Sequence, residues 1–220
     1  MFSDELYSLD TNAAVSFEGA GQFPIIRLDF SQVEFLVTTL SDAFYNEPQF
    51  RYLFPDQEMG RKVLSWFFRF IGRSGQVSGE IYTTRNIEGG AVWISRGDAF
   101  PFERLIPKGI RATPFKLGSS FRRCINLSTR LQTVHQRLAM GPHWHLMAVG
   151  LKPSKLGNSI ASALLQLLLS QADSDGLPCY LETFQERDIP FYEDFGFRVE
   201  GAGIIPGGEL SFWAMMRLPQ

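Results

Sequence analysis

The sequence predicts a single α/β domain whose sheet is mixed, mostly antiparallel and splayed between two of its strands, with helices on both faces. Two observations carry this. Apolar residues recur with strand-like and helix-like periods in alternation along the chain, with no repeat, low-complexity tract or linker between them. In the second half, a short apolar run ends at Lys152-Pro153, a tight polar turn follows, and a strongly apolar helix leads into another strand. With 220 residues, 45% of them hydrophobic and 14% aromatic, the chain is long enough to build its own core.

Residues 1–22 are rich in Ser, Gly, Asp and Asn without a firm period, and read as a loose leader to a domain spanning 23–220. Phe23–Leu28 reads as a strand. Ser31-Gln-Val-Glu34 has the form of a capping box, opening a helix with Val33, Leu36, Val37, Leu40 and Phe44 on its apolar face; Pro48 cannot continue it. A second amphipathic helix, Met59–Arg73, is expected to bury Val63, Trp66, Phe67, Phe70 and Ile71, with Gly72, Gly75 and Gly79 marking its exit. Glu80–Thr84 and Ala91–Ile94 flank Glu88-Gly-Gly90 as a hairpin. From Phe100 to Met140 the chain is irregular around Pro101, Pro107 and Pro114, then helical, with Leu127, Leu131, Val134 and Leu138 in phase. Arg122, Arg123, Arg130 and Arg137 read as the solvated face of that helix.

His143–Leu151 is a buried strand by its apolar run, and Ser154–Asn158 is the turn. The helix after it carries Ile160, Ala161, Leu164, Leu165, Leu168 and Leu169, and stops at Asp175-Gly176. Its open start presents unpaired backbone N–H groups and the positive end of the dipole, a seat for a pyrophosphate. Cys179–Thr183 is a further strand, Asp188 is placed to cap a short helix with Ile189, Phe191 and Tyr192, and Phe197–Ile205 with Leu210–Arg217 close the domain as a hairpin around Pro206-Gly-Gly208.

Charge excludes some functions. Twenty-one basic and 23 acidic residues leave a net charge of −2, with no footprint for nucleic acid or an anionic membrane. Cys124 and Cys179 are far apart and form no CxxC, which suits a reducing cytoplasm. No apolar run reaches membrane-spanning length. His143 and His145 share one face of a strand, but two histidines without a third ligand do not make a metal site, so none is expected.

The residues His143-Trp144-His145-Leu146, Val149-Gly150-Leu151-Lys152-Pro153, Leu181-Glu182-Thr183, Pro190-Phe191-Tyr192-Glu193-Asp194-Phe195-Gly196-Phe197 and Trp213–Arg217 resemble the GNAT superfamily of N-acetyltransferases, and within it the puromycin N-acetyltransferase group. The likeness covers about a third of the chain. It implies acetyl-CoA as co-substrate, held by the backbone of Val149, Gly150 and Leu151 and by Gly157, Asn158, Ser159, Ile160, Ala161 and Ser162. The family's cofactor-loop pattern falls on Leu156, Ser159 and Ala161, of which only Ala161 fits, although Ser159 still offers an N–H and adds a hydroxyl. Gln185 stands where the family has Asn, and His145 where it has Tyr.

The chemistry implied is acetyl transfer to a primary amine of a small molecule by direct attack, with no covalent enzyme intermediate. An ammonium with pKa near 10.4 costs roughly 4.6 kcal/mol to neutralise at pH 7, so a base is needed. Glu182 fits as that base, or as an acid in a structural pair, and His145 fits as a cleft-facing hydrogen-bonding group. Tyr192 is placed to protonate a departing thiolate, or else packs beside Phe191 and Phe195. Trp66, Phe67, Phe70 and Trp93 could line an acceptor pocket or belong to the core. A CoA-binding domain that has lost catalysis and a partner-binding module are the alternatives to an enzyme; a homodimer is left open.

Overall fold

The computed structural model describes residues 24–95, 119–155, 158–206 and 210–220. The expected leader, the irregular stretch from Phe100, and Leu156 with Gly157 lie outside them, as do Gly207 and Gly208. Seven strands form one sheet: β1 (Ile25–Arg27), β2 (Gly79–Thr84), β3 (Gly89–Ser95), β4 (Trp144–Leu151), β5 (Cys179–Thr183), β6 (Arg198–Ile204) and β7 (Ser211–Arg217), in the order β1-β2-β3-β4-β5-β7-β6. Every neighbouring pair is antiparallel except β4 with β5. That parallel pairing covers Trp144–Leu146 against Cys179–Leu181 and then stops, although β4 runs on to Leu151. The sheet parts there, as the turn and helix after Pro153 predict.

The helices are α1 (Val33–Phe44), α2 (Pro48–Leu53), α3 (Gln57–Ser78), α4 (Ser119–Leu138), α5 (Asn158–Asp175) and α6 (Ile189–Glu193). On one face of the sheet α5 buries Leu164, Leu165 and Leu168 against Trp93, Leu146, Leu181 and Met215. On the other, α1 and α3 cover Ile81, Val92 and Ala148, while α2 and α4 cover Tyr180, Phe212 and Ala214. Core assignment follows the period-two alternation of each strand, with one exception that matters. Val92 pairs with Ala148 and Trp93 with Leu146, so Met147 is an extra residue in β4. This bulge resets the alternation, which is why Leu146 faces α5 whereas Ala148 faces α1.

Several local expectations are corrected. Ser31 and Glu34 form no capping box: Asp29 accepts from the Ser31 N–H at 2.8 Å and opens a 3₁₀ turn, and Glu34 instead takes a two-pronged bond from Arg69 of α3. Gly72 and Gly75 lie within α3 and only Gly79 ends it. A Cβ at Gly75 would sit 2.9 Å from Ile81 Cγ1, so the glycine is there to let α3 approach β2. The buried face of α3 is Leu64, Phe68 and Ile71, one position out of phase with Val63, Phe67 and Phe70. Asp188 makes no side-chain cap on α6; it accepts instead from Thr183 Oγ1 at 3.3 Å. No helix among the described residues is long and apolar enough to cross a membrane.

Candidate active site

Where β4 and β5 part, a cavity of about 700 Å³ opens, walled by β4, β5 and residues of all six helices, α3 through Phe67 and α5 through Ala161. Its walls include Phe44, Phe50, Phe67 and Leu131 on the apolar side, and Glu47, His135, His145, Glu182, Asp188 and Tyr192 on the polar side. Size and lining match a small-molecule site: mostly apolar, with a few convergent polar groups. Of the aromatics considered for an acceptor pocket, only Phe67 reaches it. Trp93 is fully buried in the α5 core, and Trp66 stacks on Phe70 with ring centres 5.9 Å apart.

The three residues expected to be catalytic stand on this cavity. His145 projects from β4 and Glu182 from β5, one place beyond the last parallel-paired residue, and the gap between the strands lets their side chains meet: His145 Nε2 lies 2.9 Å from Glu182 Oε2. Tyr180 donates its hydroxyl to the other carboxylate oxygen at 2.9 Å. Burial pushes the Glu182 carboxyl up, but the facing His145, His135 and the Tyr180 hydroxyl outweigh it, and the group is held below its ordinary value. Glu182 is therefore an ionised carboxylate with both oxygens engaged. Tyr192 lies in the cavity wall from α6, its ring edge-on to Phe191 and Phe197. Burial first, then the nearby Asp188 and Glu47 carboxylates, raise its pKa, so it stays a phenol. Asp188 and Glu47 are themselves raised, chiefly by burial, and Glu47 accepts from Gln185 Nε2 at 2.7 Å.

Two further members escaped the sequence reading. His135 of α4 and Tyr180 of β5 are buried against His145, with ring centres 5.1 Å and 5.0 Å from it. His135 lies in phase with Leu131 and Leu138, a polar interruption of that stripe, which was the available signal. The chain's three histidines thus form one cluster, His135 Nε2 meeting His143 Nε2 at 2.8 Å.

The expected cofactor residues divide. Val149, Gly150, Leu151 and Ala161 line the cavity; Ser159 is exposed near the start of α5, Ser162 is half-buried, and Ile160 turns its side chain into the core. Asn158 is the first residue of α5. From Met147 to Leu151, β4 has β3 on one side and, among the described residues, no strand on the other. That free edge, ending two residues short of the turn into α5, fits a pantetheine arm lying along a strand and a pyrophosphate at a helix start. Gly150 has a separate explanation: a Cβ there would meet Phe44 Cε2 at 2.8 Å, so α1 packing requires it. Among the described residues, no group of histidines, cysteines and acids is arranged to hold a metal ion.

Among the described residues, a seven-stranded sheet parts beside a strand–turn–helix, with a carboxylate–histidine pair in the gap. Residues 124–197 match the model of the acetyltransferase (GNAT) family. An uncharacterized N-acetyltransferase of Schizosaccharomyces pombe is 24% identical over 182 residues, which cover 78% of this chain and 72% of the relative. Among solved structures, a Corynebacterium glutamicum protein described as a histone acetyltransferase and related acetyltransferase superposes with a TM-score of 0.62 at 22% identity, covering 89% of this chain and 96% of the other. The Drosophila melanogaster polyamine N-acetyltransferase that forms N-acetylagmatine matches with a TM-score of 0.62 at 14% identity, over 88% and 98%. The Aedes aegypti arylalkylamine N-acetyltransferase 2 does so with 0.62 at 10%, over 90% and 100%. These structural likenesses establish the fold. Residues 124–197 and the yeast relative make the chain similar to N-acetyltransferases of the GNAT family.

Proposed function

We propose that this protein transfers an acetyl group from acetyl-CoA to the primary amine of a small molecule by direct attack, with His145 as base, Glu182 orienting it, and Tyr192 as acid. The observation that carries the reading is the Tyr180–Glu182–His145 chain in the wall of the cavity between the parted strands. A carboxylate only accepts, so His145 carries a hydrogen on Nε2, and in the neutral form that the base role requires it presents Nδ1 as a bare lone pair. Glu182, with both oxygens engaged, is better placed to stabilise a histidine cation than to take a proton itself.

Acetyl-CoA, when bound, supplies the thioester whose carbonyl carbon the amine attacks, a C–N bond forming as the C–S bond breaks and the thiolate departs. Val149, Gly150, Leu151 and the start of α5, with Ser159 and Ala161, would hold it. His145 Nδ1 takes the proton that the nitrogen sheds on attack, and the Glu182 carboxylate balances the imidazolium. Tyr192, kept protonated by its surroundings, gives its phenolic proton to the departing sulfur. Solvent exchange returns both groups to their starting states.

Direct attack is favoured over a cysteine intermediate because Cys124 and Cys179 are both buried away from the cavity, and burial pushes each thiol up to about 12. Among the described residues of the lining, Glu47, Glu182, Asp188 and Asp194 outnumber the one cation, Arg187, which lies 3.8 Å from Asp188, and this balance favours an ammonium. The finer likeness, to the puromycin N-acetyltransferase group, rests on Pro190–Phe197, which carries Tyr192. Thiol release from acetyl-CoA against a panel of small amines tests the function. Turnover that falls at least tenfold in Glu182→Gln is expected; binding of acetyl-CoA with no thiol released for any amine would leave a cofactor-binding domain without catalysis.

A further inference from the structure

Two buried histidines remain that this mechanism does not use, and their hydrogen positions follow from their partners. His143 Nδ1 lies 2.8 Å from the Gly141 carbonyl oxygen, which only accepts, so the hydrogen of neutral His143 is on Nδ1. Its Nε2 is then an acceptor, and the 2.8 Å contact forces His135 to donate from Nε2. His135 in turn keeps a bare Nδ1. Among the described residues that nitrogen has no hydrogen-bond partner, although the His135 side chain is almost wholly buried and forms part of the cavity wall. The same holds for His145 Nδ1. Two acceptor nitrogens therefore belong to one cavity, on rings whose centres are 5.1 Å apart and whose planes are tilted by 35°.

We propose that His135 Nδ1 is a second acceptor for the reacting amine, so that the site binds a primary amine by both of its N–H groups and selects against secondary amines. The inference rests on the function proposed above and adds a specificity residue to it. A neutral primary amine has two N–H groups and one lone pair. With one N–H on His145 and the other on His135, each over an ordinary distance of about 2.9 Å, the lone pair is left for the attack. An N-methylated amine has one N–H, leaves His135 Nδ1 unfilled, and must fit a methyl group against a buried ring; an unfilled buried polar group is what separates such substrates strongly. The two imidazoles divide the work. His135, pushed down to about 4 by burial and by the neighbouring His145, does not take up the proton; it only fixes the nitrogen while His145 takes it.

With three histidines in the chain, the tautomers can be read directly from ¹⁵N-histidine NMR of the whole protein without acetyl-CoA. We expect His143 protonated at Nδ1 and His135 at Nε2. Titration with benzylamine, phenethylamine and butylamine should move the His135 and His145 Nδ1 resonances together. In thiol-release assays, each primary amine should outrun its N-methyl counterpart by tenfold or more in kcat/KM. His135→Phe should lose about tenfold on the primary amines, mainly through KM, and at most twofold on the N-methyl amines. Proton on His135 Nδ1, or amine binding that moves His145 and leaves His135 still, overturns the proposal, as does an equal loss on both amine classes. A folded parent that releases no thiol with any amine would sink the function proposed above, while the NMR titration still decides for or against His135.

Discussion

At the scale of single residues, the site is a set of groups whose protonation is dictated by what they touch. Tyr192 stays a phenol because burial and two nearby carboxylates resist its ionisation, so it still holds the proton that the proposed acid role requires. Tyr192→Phe is accordingly expected to lower kcat by about 10²–10⁴ with little change in the Kd for acetyl-CoA. A merely packed tyrosine would instead give near-normal kcat and a lower melting temperature, so both are measured on one sample. His135 carries a stability consequence. Its folded pKa of about 4 lies below the ordinary 6.5, so on acidification the unfolded chain takes up the proton first. Its contribution is whole above pH 6.5 and is lost as pH falls toward 4, by up to about 3 kcal/mol. Urea unfolding of the parent and His135→Phe across that range should show a shallower pH slope in the variant. That Tyr192 and Glu182 would face a cavity was legible from sequence because they sit in short contiguous motifs. His135 was not, since its partners His143 and His145 lie on another element and no local pattern announces the meeting.

Between elements, a few contacts hold the strands and helices at the angles the cavity needs. Arg217 of β7 is buried and reaches α5 through two bonds to Asp173, 2.6 and 2.7 Å, while its Nε donates to the Phe195 carbonyl oxygen at 2.8 Å. Asp173→Asn leaves that guanidinium inside without its counter-charge, and should cost about 2–4 kcal/mol by denaturant unfolding. The start of α5 offers a second test. Ser159→Asp sets a carboxylate against the expected pyrophosphate, and should weaken acetyl-CoA several-fold or more by calorimetry; unchanged affinity would move the phosphate site elsewhere. Strand and helix identities were largely readable, since long periodic runs such as Ile160–Leu169 leave little choice. The details that failed were of other kinds. Asp29 outcompeted Ser31 for the turn before α1 by lying two residues earlier, Gly75 was kept for close approach to Ile81 and does not end α3, and the Met147 bulge depends on pairing with β3, which β4's own residues do not encode.

For the molecule as a whole, the order of elements carried the fold, because a strand–turn–helix–strand unit has few ways to join an antiparallel sheet. The position of the cavity followed, but its walls, drawn from eight elements, did not. A ligand laid in that cavity should register globally: acetyl-CoA at 100 times its Kd adds about 2.7 kcal/mol to stability, a rise of several degrees in a thermal melt. The parallel pairing of Trp144–Leu146 with Cys179–Leu181 has a further consequence. Strands β1–β4 and strands β5, β7 and β6 are joined within the sheet by that one short ladder, so the two half-sheets can open as separate cooperative units. In native-state hydrogen exchange, the amides of that ladder should exchange at a lower opening free energy than those inside β3 or β7. A ligand that touches both Leu151 and Glu182 bridges the halves, and should bring the ladder's protection up toward that of the strands on either side, making one unfolding unit of two.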